Sequence, residues 1–462
     1  MRIPELPVVQ HLYAQIAPGE LFRLLQRNLG RKTHDGIYTP RLVLWMMMMQ
    51  RLDARGTLAS SVEQLAQGQL DSLLSRCKRV REKNIALSTG GYCQARQNLP
   101  KVLMERSVEE ILQRLFHRVS EAKPGIQPAI YLLDGSSLQL DHHTELKKAY
   151  PPAPSRHGES HWPIVRIVAL QEAETGLAQQ PCWGPMYGPH AVSEQALAEK
   201  ALDREPAGAV IIGDRNFGTF SMAYAMYLRG HSPLLRLTKV RAHKIMGGPI
   251  SGEGDYQVEW KASRWDLANH AELPENASIP GRLIARRIGR GKNREWLYLF
   301  TTLAIAAEQT VAWYGRRWNV ETDLRSLKRT VRLQHLSVQS VDMMEKELLA
   351  AVLAYNLVRT IMCLAAQTAG IHSRQLSFTY AYNIVHDGIG HVLAAASVGE
   401  QTQRLERIVR LVSRCRLPNR KKRRSFPREV GGEAKPSRPE EGKLSDIGMG
   451  ILPHRPLLPS AT

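Results

Sequence analysis

The feature that most constrains the fold is a pair of short apolar runs, each of which ends at an aspartate. The run at 130–133 leads into Asp134, and the run at 209–212 leads through Gly213 into Asp214. Short runs of branched aliphatic residues that end at turn residues are typical of strands buried on both faces. Because a helix is predicted between them at 193–202, the two strands predict an α/β sheet.

The rest of the chain divides into stretches of different character. Residues 1 to about 125 show the start signals and apolar spacing of helices, among recurring Arg and Lys. Alternating apolar residues among glycines and prolines predict a β-rich insertion at about 239–303, before a long helix at 306–331. We therefore predict three parts in chain order: a helical region at 1–125, an α/β domain at 126–375 that contains the insertion, and a C-terminal helical region with a basic, partly disordered tail at 376–462.

The charge of the chain favours a polyanionic partner. Sixty-three Lys and Arg against 43 Asp and Glu give a net charge of +20, which suggests nucleic acid first, although ribosomal and membrane-surface proteins share this bias. The five scattered cysteines favour neither a disulfide framework nor a zinc site and fit a reducing compartment. We find no signal-peptide pattern, and Asn356 and Arg359 interrupt the most apolar stretch, so a buried helix is favoured over a membrane span.

Asp134 and Asp214 each follow a predicted buried strand, which is where open α/β sheets place their ligand sites. Either aspartate alone is more typical of a turn or a helix cap. Together they predict a site for hard divalent cations such as Mg²⁺, whose preferred ligands are carboxylate oxygens. Two metal ions require about three carboxylates from separate elements, so a third carboxylate is expected.

The helix predicted at 306–331 supplies that carboxylate. At about 100° of rotation per residue, one stripe about 60° wide carries four polar side chains: Tyr314, Arg317, Glu321 and Lys328. An ordinary amphipathic helix with charge pairs explains this pattern about equally well. An Arg, a Lys and a Tyr around one carboxylate, however, offer donors to phosphate oxygens on both sides of a metal ligand.

The spacing Tyr-x2-Arg-x3-Glu-x6-Lys of these four residues matches without gaps the YREK signature of a large group of bacterial insertion-sequence transposases. The segments Leu132–Ser136 and Gly213–Gly218 resemble those around the first and second catalytic aspartates of that family. The chain thus resembles DDE-type transposases up to about Leu417. The resemblance implies an RNase H-like mixed-sheet catalytic core that is interrupted by the β-rich insertion and preceded by an all-helical DNA-binding region.

The resemblance also implies a mechanism and a set of partners. Asp134, Asp214 and Glu321 would be the catalytic residues and would hold two Mg²⁺ ions, or Mn²⁺, for in-line attack on a phosphodiester by water or a 3′-hydroxyl. The partners would be the terminal inverted repeats of an insertion sequence and target DNA, bound by a homodimer or larger synaptic assembly in the bacterial cytoplasm, at the nucleoid. No membrane partner is expected. DNA contacts are implied for four side chains: Tyr314, Arg317, Lys328 and Arg215.

In some members of the family a tryptophan of the insertion stacks near an extruded base. Trp296 lies at a suitable place in the sequence, with Trp260 and Trp265 as competitors, although core packing explains each of them alone. Two alternative functions stay open: an RNase H-like nuclease without strand transfer, and a catalytically inactive DNA-binding protein derived from a transposase.

Two weaker patterns point to no further chemistry. Asp141-His142-His143, and His157 with His161, have spacings seen in metal-dependent sites, but we predict that they are loop residues because no matching His and Asp motifs accompany them. The stretch at 289–292 lacks the first glycine and the Ser or Thr of a phosphate-binding loop, so ATP use is not expected.

Overall fold

A computed structural model of the chain describes residues 19–28, 36–53, 55–75, 77–82, 84–121, 128–155, 158–289, 294–334 and 336–418. Its helices and strands belong to one compact unit that ends at Leu417. The basic, partly disordered tail predicted beyond residue 420 lies outside the described residues, as does His157.

The described residues before the first strand are mainly helical, as predicted. Thr39 accepts a hydrogen bond from the N–H of Leu42 and starts the second helix, whose Pro40 occupies the first turn, where its missing N–H costs nothing. The helices are α1 (Gly19–Asn28), α2 (Pro40–Leu52), α3 (Leu58–Ala66), α4 (Lys78–Arg81), α5 (Gly90–Asn98) and α6 (Lys101–Glu121).

The next part of the chain, up to residue 237, contains both strands and helices. They are β1 (Ile130–Gln139), α7 (Thr144–Ala149), β2 (Pro152–Ser155), β3 (Gly158–Glu172), β4 (Cys182–Pro185), α8 (Glu194–Leu202), β5 (Val210–Gly213), α9 (Phe220–Leu228) and β6 (Ser232–Leu237). The chain continues with α10 (Lys239–Met246), β7 (Gly254–Lys261), α11 (Arg264–Asn269), β8 (Ser278–Ile288) and β9 (Glu295–Thr301). Within the described residues, the strands form one mixed sheet of nine. Its order is β2-β3-β1-β5-β6-β9-β8-β7, and β4 pairs with β3.

The strand directions are those of an RNase H-like core. β3 pairs antiparallel with both β4 and β1, and β5 and β6 continue the sheet in parallel with β1. This confirms the predicted fold class. The predicted insertion contributes β7, β8 and β9, and β9 pairs antiparallel with β6, so the insertion extends the edge of the same sheet.

The C-terminal part of the described chain is helical. It contains α12 (Ala307–Gly315), α13 (Trp318–Arg325), a π-helical segment (Ser326–Thr330), α14 (Val341–Thr368), α15 (Phe378–Leu393) and α16 (Val398–Val412). α14 is long and apolar enough to cross a bilayer, yet its apolar stretch is wholly buried inside the protein. Asn356 exchanges two 2.8 Å hydrogen bonds with the backbone of Ala178, which satisfies its amide inside the core. α14 is therefore packed as the predicted core helix.

The strand that carries Asp134 is longer than predicted. β1 continues to Gln139 instead of ending at residue 133, because the antiparallel β3 pairs with it throughout residues 131–139. Its parallel neighbour β5 ends at Gly213. Asp134 therefore lies in the middle of β1, close to the level where the parallel pairing stops.

The single helix predicted at 306–331 is interrupted. A turn at residues 316–317 separates α12 from α13, and the π-helical segment follows α13. Gly315, a poor helix former, stands just before the turn, and Arg316 within it forms an ion pair with Glu174 in the turn after β3. The four polar residues predicted to share one continuous stripe thus lie on successive segments of different geometry.

Candidate active site

The pairing of β1 with β5 places Asp134 beside Asp214. The parallel register joins Leu132 with Ile212, and each aspartate lies two residues further along. Because side chains alternate along a strand, Asp134 projects to the same face as Leu132. Asp214 follows the end of β5, and its charge acts on both Asp134 and Tyr314. The apolar side chains of this face pack against α12 and α13.

Glu321 lies on α13, the helix that covers this face. Its Oε1 is 3.2 Å from Nη2 of Arg317, whose side chain is largely buried. Burial raises the pKa of Asp134, and the positive charge of Arg317 opposes this rise. One guanidinium group thus lies close to acidic groups on both the helix and the strand.

The interrupted helix still directs Lys328 and Tyr314 toward the aspartates. Nζ of Lys328 is 3.1 Å from Oγ of Ser136, which stands two residues beyond Asp134 on the same face of β1. Tyr314 is buried beside Arg317, and its O–H group has no hydrogen-bond acceptor among the described residues. Burial raises the pKa of Tyr314, and Arg317 opposes this rise. The signature residues therefore surround the aspartates although no continuous stripe exists.

Arg215 occupies a different position from the other three candidate DNA contacts. It follows Asp214 in the turn after β5, and its side chain is exposed. An exposed guanidinium next to a carboxylate site is available to a ligand that covers the site from outside.

Burial raises the pKa of Asp134 from 3.8 to about 6. The charges of Asp214 and Glu194 add to this rise, whereas Arg317 and the N–H of Gly135, 2.9 Å from Oδ1 of Asp134, oppose it. A carboxylate in such surroundings is short of positive charge. A divalent cation between the aspartates would supply it.

The pKa of Asp134 gives a stability prediction for the metal-free protein. The folded-state value lies above the ordinary value of 3.8, so this group contributes stability that is fully present below about pH 4 and is lost as the pH rises through about 6. In chelator, the free energy of unfolding of the wild type relative to Asp134→Asn should fall by up to about 3 kcal/mol across that window. Denaturant titrations at a series of pH values measure it, and a difference that does not change with pH would contradict it.

A fourth carboxylate, that of Glu194, lies near both aspartates. Ser193 caps α8, and Glu194 is its first residue. A Cβ atom at Gly135 would come within 1.6 Å of Oε1 of Glu194, so the carboxylate lies directly against this glycine. From the sequence, Glu194 is only the start of a predicted helix. The one available signal is an acidic first turn on a helix between the two aspartate-bearing strands.

The donor set fits a divalent cation in its chemistry. Two strand aspartates and a helix glutamate offer the hard oxygen ligands that Mg²⁺ and Mn²⁺ prefer. Across the described ranges, no three His, Cys, Asp or Glu side chains are already close enough together to hold a metal ion. Glu321 is paired with Arg317, whose charge also acts on Asp134.

The candidate tryptophans differ in their surroundings. Trp296 on β9 is covered by the guanidinium of Arg287, 4.8 Å from its ring, and stacks on Tyr298 with ring centroids 5.8 Å apart. Trp260 is a buried core residue, whereas Trp265 is 65% exposed. Core packing therefore accounts for Trp260, and Trp296 and Trp265 remain candidates for stacking on a base.

Of the histidines singled out in the sequence, His142 and His161 lie in contact. The rings of His142 and His161 stack with centroids 4.0 Å apart. His161 lies in β3, so its prediction as a loop residue was wrong: β2 pairs antiparallel with this part of β3, from Gly158 to Pro163. No metal-holding cluster includes this pair within the described part of the chain.

The sheet, its carboxylates and the covering helix define a DDE-type catalytic domain. Residues 126–357, half of the chain, match the family model described as the transposase DDE domain. The chain belongs to this family of transposases. The matched span contains Asp134, Asp214 and Glu321.

Individual relatives are also transposases. The transposase InsG for insertion sequence element IS4 of Escherichia coli (strain K12) is 23% identical over 349 residues, which cover 73% of this chain and 75% of that protein. Among solved structures, the cryo-EM structure of the piggyBac transposase synaptic complex with hairpin DNA aligns with a TM-score of 0.41 and 8% identity, over 87% of this chain and 84% of that chain.

Proposed function

We propose that this protein binds the terminal inverted repeats of an insertion sequence, cleaves the DNA and joins the freed 3′ end to target DNA. The observation that carries the proposal is the β1–β5 register, which aligns Asp134 with Asp214 on the face covered by the helix of Glu321. Carboxylates from two neighbouring strands and a facing helix are the donor set that two-metal phosphodiester chemistry uses.

Asp134, Asp214 and Glu321 would hold two Mg²⁺ ions, for which Mn²⁺ can substitute. When bound, the ions would stabilise charge on the attacking and leaving oxygens of the phosphodiester. The three carboxylates would bind and orient the ions.

Four side chains would hold the DNA next to the carboxylates. A phosphate oxygen would accept the hydrogen bond that the buried hydroxyl of Tyr314 lacks among the described residues. Burial lowers the pKa of Lys328, and a nearby phosphate would favour its charged form again. Arg317 would orient Glu321 and contact the same strand, and exposed Arg215 would contact DNA at the outer side of the site.

The helical region at 1–125 would bind the terminal repeats, and the domain at 126–375 would carry out the chemistry. The net charge of +20 supports a DNA partner. Two element ends have to meet before joining, so we propose a homodimer or a larger synaptic assembly. Its place would be the bacterial cytoplasm, at the nucleoid.

DNA binding should weaken steeply as salt is added. A chain that neutralises many phosphates releases condensed counterions, so the logarithm of the association constant should fall linearly with that of the salt concentration, with a slope of about −0.9 for each phosphate neutralised. Fluorescence anisotropy with labelled terminal-repeat DNA in chelator measures the slope. A flat response would contradict the DNA assignment.

Cleavage and joining separate the three candidate functions. Purified protein is incubated with labelled terminal-repeat DNA, a target plasmid and Mg²⁺, and the products are resolved on denaturing gels. Cleavage followed by joined products supports the transposase. Cleavage without joining favours the nuclease, and binding without cleavage favours the inactive DNA-binding protein.

A further inference from the structure

We propose that Glu194 is a positioning residue that holds the turn carrying Asp214 from the opposite face of the sheet. The inference rests on the proposed function, because it assigns Glu194 to the same carboxylate site. Its basis is a chain of hydrogen bonds between the first turn of α8 and the turn after β5.

Asn216 is the link in this chain. Its backbone N–H donates to Oδ1 of Asp214 at 2.8 Å, and its side-chain amide donates to Oε2 of Glu194. Gln195 adds a second tie, because its Nε2 donates to the backbone oxygen of Asn216 at 3.0 Å. The residue that orients the carboxylate of Asp214 is therefore itself held at both its side chain and its backbone by α8.

Gly135 provides the space that Glu194 needs. Side chains alternate along β1, so position 135 faces away from the carboxylate of Asp134 and toward α8. Oε1 of Glu194 lies where a side chain at this position would stand. Any residue larger than glycine would displace the Glu194 carboxylate, and with it the acceptor of the Asn216 amide.

The start of α8 is itself held in place on the sheet. Nη1 of Arg166, on β3, donates to the backbone oxygen of Val192 at 2.8 Å. Ser193 then caps the helix by accepting from the N–H of Ala196 at 3.0 Å. Glu194 thus projects from a fixed helix terminus rather than from a free loop, which is what positioning of Asp214 requires.

Binding of Mn²⁺ to the full-length, metal-free protein tests the inference. Calorimetry and thermal unfolding are run on the wild type and on Glu194→Ala, Glu194→Gln and Gly135→Ala. The expected result is a loss of Mn²⁺ affinity of about 10- to 100-fold in Glu194→Ala, the usual effect of removing a residue that supports metal ligands. Glu194→Gln keeps an acceptor for Asn216 and should bind Mn²⁺ nearly as the wild type does. Gly135→Ala should reproduce the loss because its methyl group displaces Glu194.

Two controls decide what a failure means. Glu199→Ala removes a carboxylate from the same helix, and it should leave Mn²⁺ affinity unchanged. The titratable neighbours of Glu199 are Arg229, Glu272, His270 and Asp203, none of which belongs to the candidate site. Asp214→Asn should abolish binding; if it does not, the proposed metal site is wrong and the inference falls with it. If Asp214→Asn abolishes binding but Glu194→Ala binds as the wild type does, only the positioning role is overturned. Loss of binding in both Glu194→Ala and Glu194→Gln would also overturn it, because the hydrogen-bond acceptor would then not be what matters.

Discussion

Replacing Glu321 with glutamine is expected to abolish DNA cleavage and to leave DNA binding intact. Glutamine has nearly the same shape, and its amide oxygen can still accept a hydrogen bond from Arg317, which is 3.2 Å from the native carboxylate. What it lacks is the negative charge that a divalent cation requires of its ligand. The expected loss exceeds the roughly 10- to 100-fold that removal of a supporting residue usually costs.

The experiment compares single-turnover cleavage of labelled terminal-repeat DNA with binding of the same DNA in chelator. Glu308→Gln is the matched control, since Glu308 lies in the first turn of α12 and its side chain is 80% exposed beside Arg286. This control should cleave as the wild type does. Persistent cleavage by Glu321→Gln would show that the assignment of the third carboxylate is wrong.

The alignment of the two aspartates was accessible to sequence reasoning because its determinants are local. Each aspartate follows a short apolar run, and such runs form parallel neighbours in an α/β sheet. The observed β1–β5 register brings Asp134 and Asp214 to the same level of the sheet. The error in the end of β1 did not affect this result, because β3 lengthens the strand only beyond Asp134.

The break in the helix of Glu321 could not be read from periodicity. It coincides with an ion pair between Arg316 and Glu174, which are 142 residues apart in the chain. The contact between Glu194 and Gly135 also joins distant segments, since it depends on how α8 packs on the sheet. Contacts between distant segments decide both features, and a pattern within one segment carries no information about them.

The same helix contains a buried acidic residue that ties it to the C-terminal helices. Asp323, two residues after Glu321, has a fully buried side chain. It accepts hydrogen bonds from Nη1 of Arg374 at 2.7 and 2.6 Å, and it also pairs with Arg359 on α14. One carboxylate thus pairs with two guanidinium groups and holds α13 against α14.

Asp323→Asn is therefore expected to cost about 3–5 kcal/mol in the free energy of unfolding, because it leaves the buried guanidinium of Arg359 and the partly buried one of Arg374 without a compensating charge. Glu63→Gln is the control: its ion pair with Arg55 has a similar N–O distance of 2.9 Å, but the two side chains are 47% and 59% exposed, so the cost should stay below about 1 kcal/mol. Chemical denaturation followed by circular dichroism compares the two variants. Equal costs would mean that the Asp323 pairs behave like surface ion pairs and do not anchor the helix that carries Glu321.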